Sequence, residues 1–297
     1  MINLSPMNYL LKSGLVLLMA GWATLSCDEK IRWDVDPEQK RIIVEGRITD
    51  ELKQHDLLLR ISNDFFDPEN PSVVVGAQVT VTDGTNSYTY EEVSSGLYQS
   101  SEAFTGRVGI TYELTIELEA SIGDQTRYTA VTTMQPNLTL DSLAVYRDEL
   151  DDIFDEYDED STYFFSFFGL EPEGTGDHYL CELWRNGENY TDPINQVVIF
   201  EDDWIDGIEF EAFELFISAD FDAQEEFQPG DQATLKIYAI EKQYFDFLNA
   251  FFAQEEGGDP FGFSSPPANV DGNISGTGLG YFYAASVVAS SSEVGIE

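Results

Sequence analysis

The chain has 297 residues, with 56 acidic against 14 basic side chains and a formal net charge of −42 at pH 7. That balance excludes a nucleic-acid partner, because phosphate contacts require clustered lysine and arginine. A hydrophobic content of 42% with 13% aromatics also excludes an acidic disordered chain, which would be poor in aromatics.

The first element in chain order is the apolar run Leu15 to Cys27, LVLLMAGWATLSC, behind the lone Lys12. A short uncharged run ending in small residues and a cysteine reads as a secretory signal over residues 1–26, with acylation expected at Cys27. Cleavage without a lipid, giving a soluble periplasmic protein, is the alternative. The acidic pair Asp28 and Glu29 resembles the export tag of surface lipoproteins in Bacteroidota, which points to the outer membrane and the cell exterior. No other segment offers the ~20 consecutive apolar residues that span a bilayer. The remaining cysteine, Cys181, then has no partner for an intramolecular disulfide, so the cores must supply the stability. Its strand-like surroundings predict a small buried hydrophobe.

Residues 27–40 read as a polar tether, and residues 41–135 as a β-sandwich. About seven strand candidates follow one another with turn signals between them, and no helical period interrupts them. Ile110 to Leu118 is the clearest, with Ile110, Tyr112, Leu114, Ile116 and Leu118 on one face and threonine or glutamate between them. Asp83-Gly84 marks a hairpin turn, since both residue types tolerate positive φ.

Residues 136–297 form a second β-rich region, and the negative charge concentrates there. From Asp148 onward 35 acidic residues face three basic ones, Arg185, Lys236 and Lys242. The run 148–160 is an acidic loop. Asp155, Asp158 and Asp160 are candidate calcium ligands within it, but the run lacks the central glycine of the helix-loop-helix calcium pattern, so no metal or other cofactor is required. In Ile208 to Ser218 the apolar phase jumps near Ala212, which predicts a bulge. Tyr244, Phe245, Leu248, Phe251 and Phe252 share one face of an amphipathic helix at about 241–254, broadened by Phe247 and Ala250 and expected to pack on a sheet. Leu279 to Ala289 is a last strand, and the closing SSSEVGIE is expected to be loose.

No motif marks a nucleophile or a zinc site, with only His55, His178 and Cys181 to build one. A non-enzyme is therefore expected. A carboxylate-based hydrolase is one alternative, because among so many acids some pair ~5–10 Å apart will exist. Trp184 and Trp204 are candidates for stacking on a ligand, the basis of a second alternative, a surface adhesin or glycan-binding protein.

In order along the chain, IIVEGRITD (42–50), GAQVTVTDG (76–84), GLY (96–98), ITYELTI (110–116), Asp141-Ser142-Leu143, Asp259-Pro260-Phe261, Asn273-Ile274 and Gly280-Tyr281-Phe282 resemble a family of Bacteroidota lipoproteins built on a domain of unknown function. The first half also resembles transthyretin-like and carboxypeptidase regulatory-like sandwiches. The resemblance implies a mainly β fold, an Ig-like or transthyretin-like sandwich followed by a β-rich domain with one helix. It further implies a lipid-anchored accessory or binding module working beside a TonB-dependent outer-membrane transporter in nutrient uptake. It carries over no catalytic residues.

Overall fold

The computed structural model describes residues 40–62, 72–149, 161–174, 176–191, 196–217, 226–256 and 270–295. All of them lie in one compact unit, Gln39–Glu297. Cys27, Asp28 and Glu29 fall outside the described residues, as do Asp155, Asp158 and Asp160.

The fold is mainly β with one helix among the described residues, as the alternation of the sequence predicts. The first half contributes β1 (Ile42–Thr49), β2 (Asp56–Ile61), β3 (Ser72–Val73), β4 (Gln78–Thr82), β5 (Ser87–Ser94), β6 (Leu97–Ser100), β7 (Thr111–Ile122) and β8 (Gln125–Thr133). Period-two sequence becomes period-two burial: Tyr112, Leu114 and Ile116 of β7 are buried, while Thr111, Glu113 and Glu117 are exposed. The 83–86 turn is held by the Asp83 carboxylate, which accepts from Thr85 N and Asn86 N and is paired with Arg107. The buried Tyr98 of β6 holds the β3–β4 connection, its hydroxyl accepting from Ala77 N and donating to the Val74 carbonyl, each at 3.0 Å.

The second half adds β9 (Thr139–Glu149), β10 (Ser161–Leu170), β11 (His178–Arg185), β12 (Glu188–Asn189), β13 (Val198–Glu201), β14 (Glu209–Ile217), β15 (Gln232–Ile240), α1 (Lys242–Glu256) and β16 (Leu279–Glu293). Strands β14-β10-β9 form a small sheet, and all other strands join one sheet ordered β12-β11-β15-β16-β1-β2-β6-β5-β4-β7-β8, with β13 on β11 and β3 on β2. The main sheet therefore passes through the 135/136 division. Its seam is the parallel pair β1–β16, in register from Ile43↔Leu279 to Thr49↔Ala285. Gly280 is required there, because at φ +84 a Cβ would stand 2.2 Å from the Val44 carbonyl oxygen. Beside it the Asn273 side chain stands in for a strand, donating to Phe282 O at 2.7 Å and accepting from Phe282 N at 3.0 Å.

Three cores result. One fills the first-half sandwich, around Val44, Leu59, Leu114 and Tyr128. A second, rich in aromatics, lies between the small sheet and β11/β15, around Phe165, Phe167, Tyr179 and Ile237. The third packs α1 on the opposite face of β11, β15 and β16 through Tyr244, Phe245 and Leu248. Those central strands are buried on both faces, which explains their nearly unbroken apolar runs.

Two expectations are corrected. The chain end is not loose at Ser290–Glu293. These residues continue β16 against β15, Thr234 and Ser291 share a 2.8 Å hydroxyl contact, and Val294 is fully buried. Ala250 does not broaden the apolar face of α1, since it is exposed.

Candidate functional site

Because side chains alternate on a strand, Ile43, Glu45 and Arg47 of β1 share one face of the main sheet with Leu279, Tyr281 and Tyr283 of β16, opposite one another in register. Helix α1 lies over this face, and Tyr244, Phe247, Leu248 and Phe251, at i, i+3, i+4 and i+7, turn down towards it. Between helix and sheet is a cavity of about 750 Å³. That size is within the ~300–1,000 Å³ usual for small-ligand sites. A second cavity of about 540 Å³ adjoins it and shares Phe247, Gln254, Val270 and Tyr281.

The floor is aromatic and charged at once. Tyr244 stacks on Tyr283 with ring centroids 4.0 Å apart and meets Tyr281 at 4.7 Å, and Phe247 meets Tyr281 at 5.1 Å. Arg47 reaches across β16 and β15 to Glu182 of β11, Nη1 to Oε1 at 2.7 Å, with its guanidinium 4.9 Å from the Tyr238 ring centroid. The second Glu182 oxygen accepts from Tyr238 Oη at 2.9 Å and Trp184 Nε1 at 3.0 Å. Burial opposes the charge on Arg47, and the surrounding tyrosines and Glu182 more than offset it, so its pKa lies above the ordinary value. At the other wall Arg60 Nη2 donates to both Glu45 oxygens, at 2.8 and 2.7 Å. Among the described residues of the walls, Tyr281 Oη and Arg60 Nε are buried without a hydrogen-bond partner, and the Tyr281 residue is only 6% exposed.

Among the described residues, one cluster of three carboxylates could hold a cation. Glu171, Asp177 and Asp202 each place an oxygen within 4.8 Å of the others. Oxygen donors alone suit a hard ion such as calcium or magnesium. Burial, then repulsion from Asp202, raises the pKa of Asp177, and burial raises that of Glu171 as well. Protein donors already meet two of these three carboxylates. Glu171 accepts from Gly207 N at 2.7 Å and Tyr179 Oη at 3.1 Å, and Asp202 accepts from Gly176 N with both oxygens.

The structure does not bring Trp184 and Trp204 into the cavity wall. The Trp184 ring is covered by the Lys236 ammonium 3.9 Å from its centroid, and Trp204 stands 90% exposed. Cys181 is buried and free, with burial holding its thiol pKa well above the ordinary value, so it is the inert hydrophobe its context predicts. His55 and His178 lie far apart in the topology, His55 between β1 and β2 and His178 at the start of β11. The sequence reading placed Tyr244, Phe247, Leu248 and Phe251 on the apolar face of the helix but marked none of them, nor Glu45, Arg47 or Tyr281, as lining a site. The available signal was the outward face Glu45 and Arg47, charged in a strand whose neighbours are both central.

A family model described as a domain of unknown function (DUF4249) matches residues 28–291. No curated protein matches the chain.

Proposed function

Because the chain belongs to the DUF4249 family, we propose that it is a lipid-anchored lipoprotein of the outer membrane, displayed outward, serving a TonB-dependent transporter as a non-catalytic binding or accessory module. The observation that carries this reading is a coincidence of boundaries. The family match begins at residue 28, immediately after Cys27, the last residue of the signal-like run. The match thus begins one residue after the cysteine at which an acylated mature chain would start. The cavity under α1 gives such a module a place to hold a small ligand, and the acidic pair Asp28 and Glu29 favours outward display.

The anchor is tested by fractionating cells that express Cys27→Ala. The variant is expected in the soluble fraction, and continued tight membrane attachment would refute the anchor. Protease shaving of intact cells is expected to remove the wild-type chain. Purification from outer membranes is expected to recover a TonB-dependent transporter with it, whereas recovery alone while the transporter is expressed contradicts the accessory role.

A further inference from the structure

We propose that the cavity between α1 and the β1–β16 seam binds a neutral saccharide, one ring or a short chain of them. This deepens the binding-module reading and rests on it for its biological meaning, but the chemistry of the cavity is argued independently of the anchor.

Charge comes first. Arg47 and Arg60 are the cations of the wall, and both are already paired, with Glu182 and Glu45 at 2.7 Å. An anionic ligand would meet guanidinium groups already paired with carboxylates and the net negative charge of the whole chain, −42. A cationic ligand finds no buried unpaired acid among the described residues of the wall, since Glu45 and Glu182 pair with these arginines and Asp56 is exposed, one of its oxygens accepting from Gln99 at 2.8 Å. This balance favours a neutral occupant.

Shape and polarity come next. The site lies on the face of the sheet, and its two seam strands have neighbours on both sides, so no free edge exists for a peptide to extend as an added strand. The floor of tyrosine and phenylalanine rings offers apolar flat surfaces, with Phe247 and Phe251 half-buried at the helix side. A wholly apolar ligand would supply nothing to Tyr281 Oη and Arg60 Nε, which are already buried without partners. The unmet needs are an acceptor oxygen for Arg60 Nε–H and an oxygen for the Tyr281 hydroxyl. A pyranose ring presents an apolar C–H face and an edge of neutral oxygens, which meets both the rings and the orphaned polar atoms.

The test uses the full chain, extracted in a detergent without a sugar headgroup. It is titrated calorimetrically with maltotriose, cellotriose, laminaritriose, xylotriose and mannotriose, with trigalacturonate as the anionic comparison. Saturable binding of at least one neutral trisaccharide is expected. Tyr281→Phe, which keeps the ring and removes only Oη, should weaken that binding about three- to tenfold. Phe247→Ala should weaken it further, and Trp204→Ala should leave it unchanged. No saturable binding of any neutral probe, tighter binding of trigalacturonate, or equal binding by wild type, Tyr281→Phe and Phe247→Ala would overturn the proposal. Failure here with Cys27→Ala released from membranes would remove the ligand and leave the anchor standing. The reverse outcome would remove the anchor alone.

Discussion

At the scale of single residues, His55 shows how a local hydrogen-bond pattern sets a pH response. Its ring is buried. Nδ1 lies 3.5 Å from Thr49 N, which donates to it, and Nε2 lies 3.0 Å from the Phe104 carbonyl. The neutral ring with its proton on Nε2 satisfies both contacts, and a second proton on Nδ1 would face an N–H. Burial holds the pKa down to about 4, from an ordinary 6.5. Between these values the unfolded chain binds the proton and the folded chain does not, so stability rises with pH through that window and is complete above it. Acidification from pH 7 to 4 should remove about 2–3 kcal/mol through this residue. Denaturant midpoints across that range should show the slope in wild type and a flatter profile in His55→Gln, and equal slopes would contradict the assignment. The buried state of Cys181 was legible in the sequence because its neighbours are apolar. The ion pair of Arg47 was not, because Glu182 lies three strands away in the sheet and 135 positions away in the chain.

At the scale of elements, legibility followed how one-sided the environment is. Strand β7 has one wet face, so its alternation reads directly. Helix α1, seen over Lys242–Glu256, matches the 3.6-residue spacing of its aromatics for the same reason. Ser290–Glu293 misled because serine carries no β signal. Pairing with β15 and the burial of Val294 decide its conformation, and both are tertiary. The phase jump at Ala212 was readable. There two residues, Glu211 and Ala212, face Phe168 alone, and Ala212 adopts φ 61. An alanine in the left-handed region pays for its Cβ, so Ala212→Gly should raise stability by about 0.5–1 kcal/mol. Urea unfolding measures this, and a destabilised variant would mean that the bulge is held by something other than backbone geometry.

At the scale of the whole molecule, the acidic excess far exceeds what the ion pairs of the described residues neutralise. Like charges repel across the surface, and the Debye length shortens from ~30 Å at 0.01 M salt to ~8 Å at 0.15 M. Thermal stability should therefore rise with sodium chloride over this range, and a melting temperature that falls or stays level would show that attractive pairs dominate instead. The cavity is also a whole-molecule property, assembled from β1 near one end of the described chain and β16 at the other. Motif reading along the sequence meets its two walls as separate, unremarkable strands.

The β1–β16 seam has a consequence for how such a chain matures. The Asp50 carboxylate accepts from Val287 N across 237 positions of sequence, and β1 takes its parallel partner from the last strand of the fold. A chain emerging from its N-terminus would expose one edge of β1 until residues 279–285 had followed. Formation of the seam then awaits those residues, as high contact order also implies. A product cut short before residue 279 would present an open strand edge to chaperones and proteases.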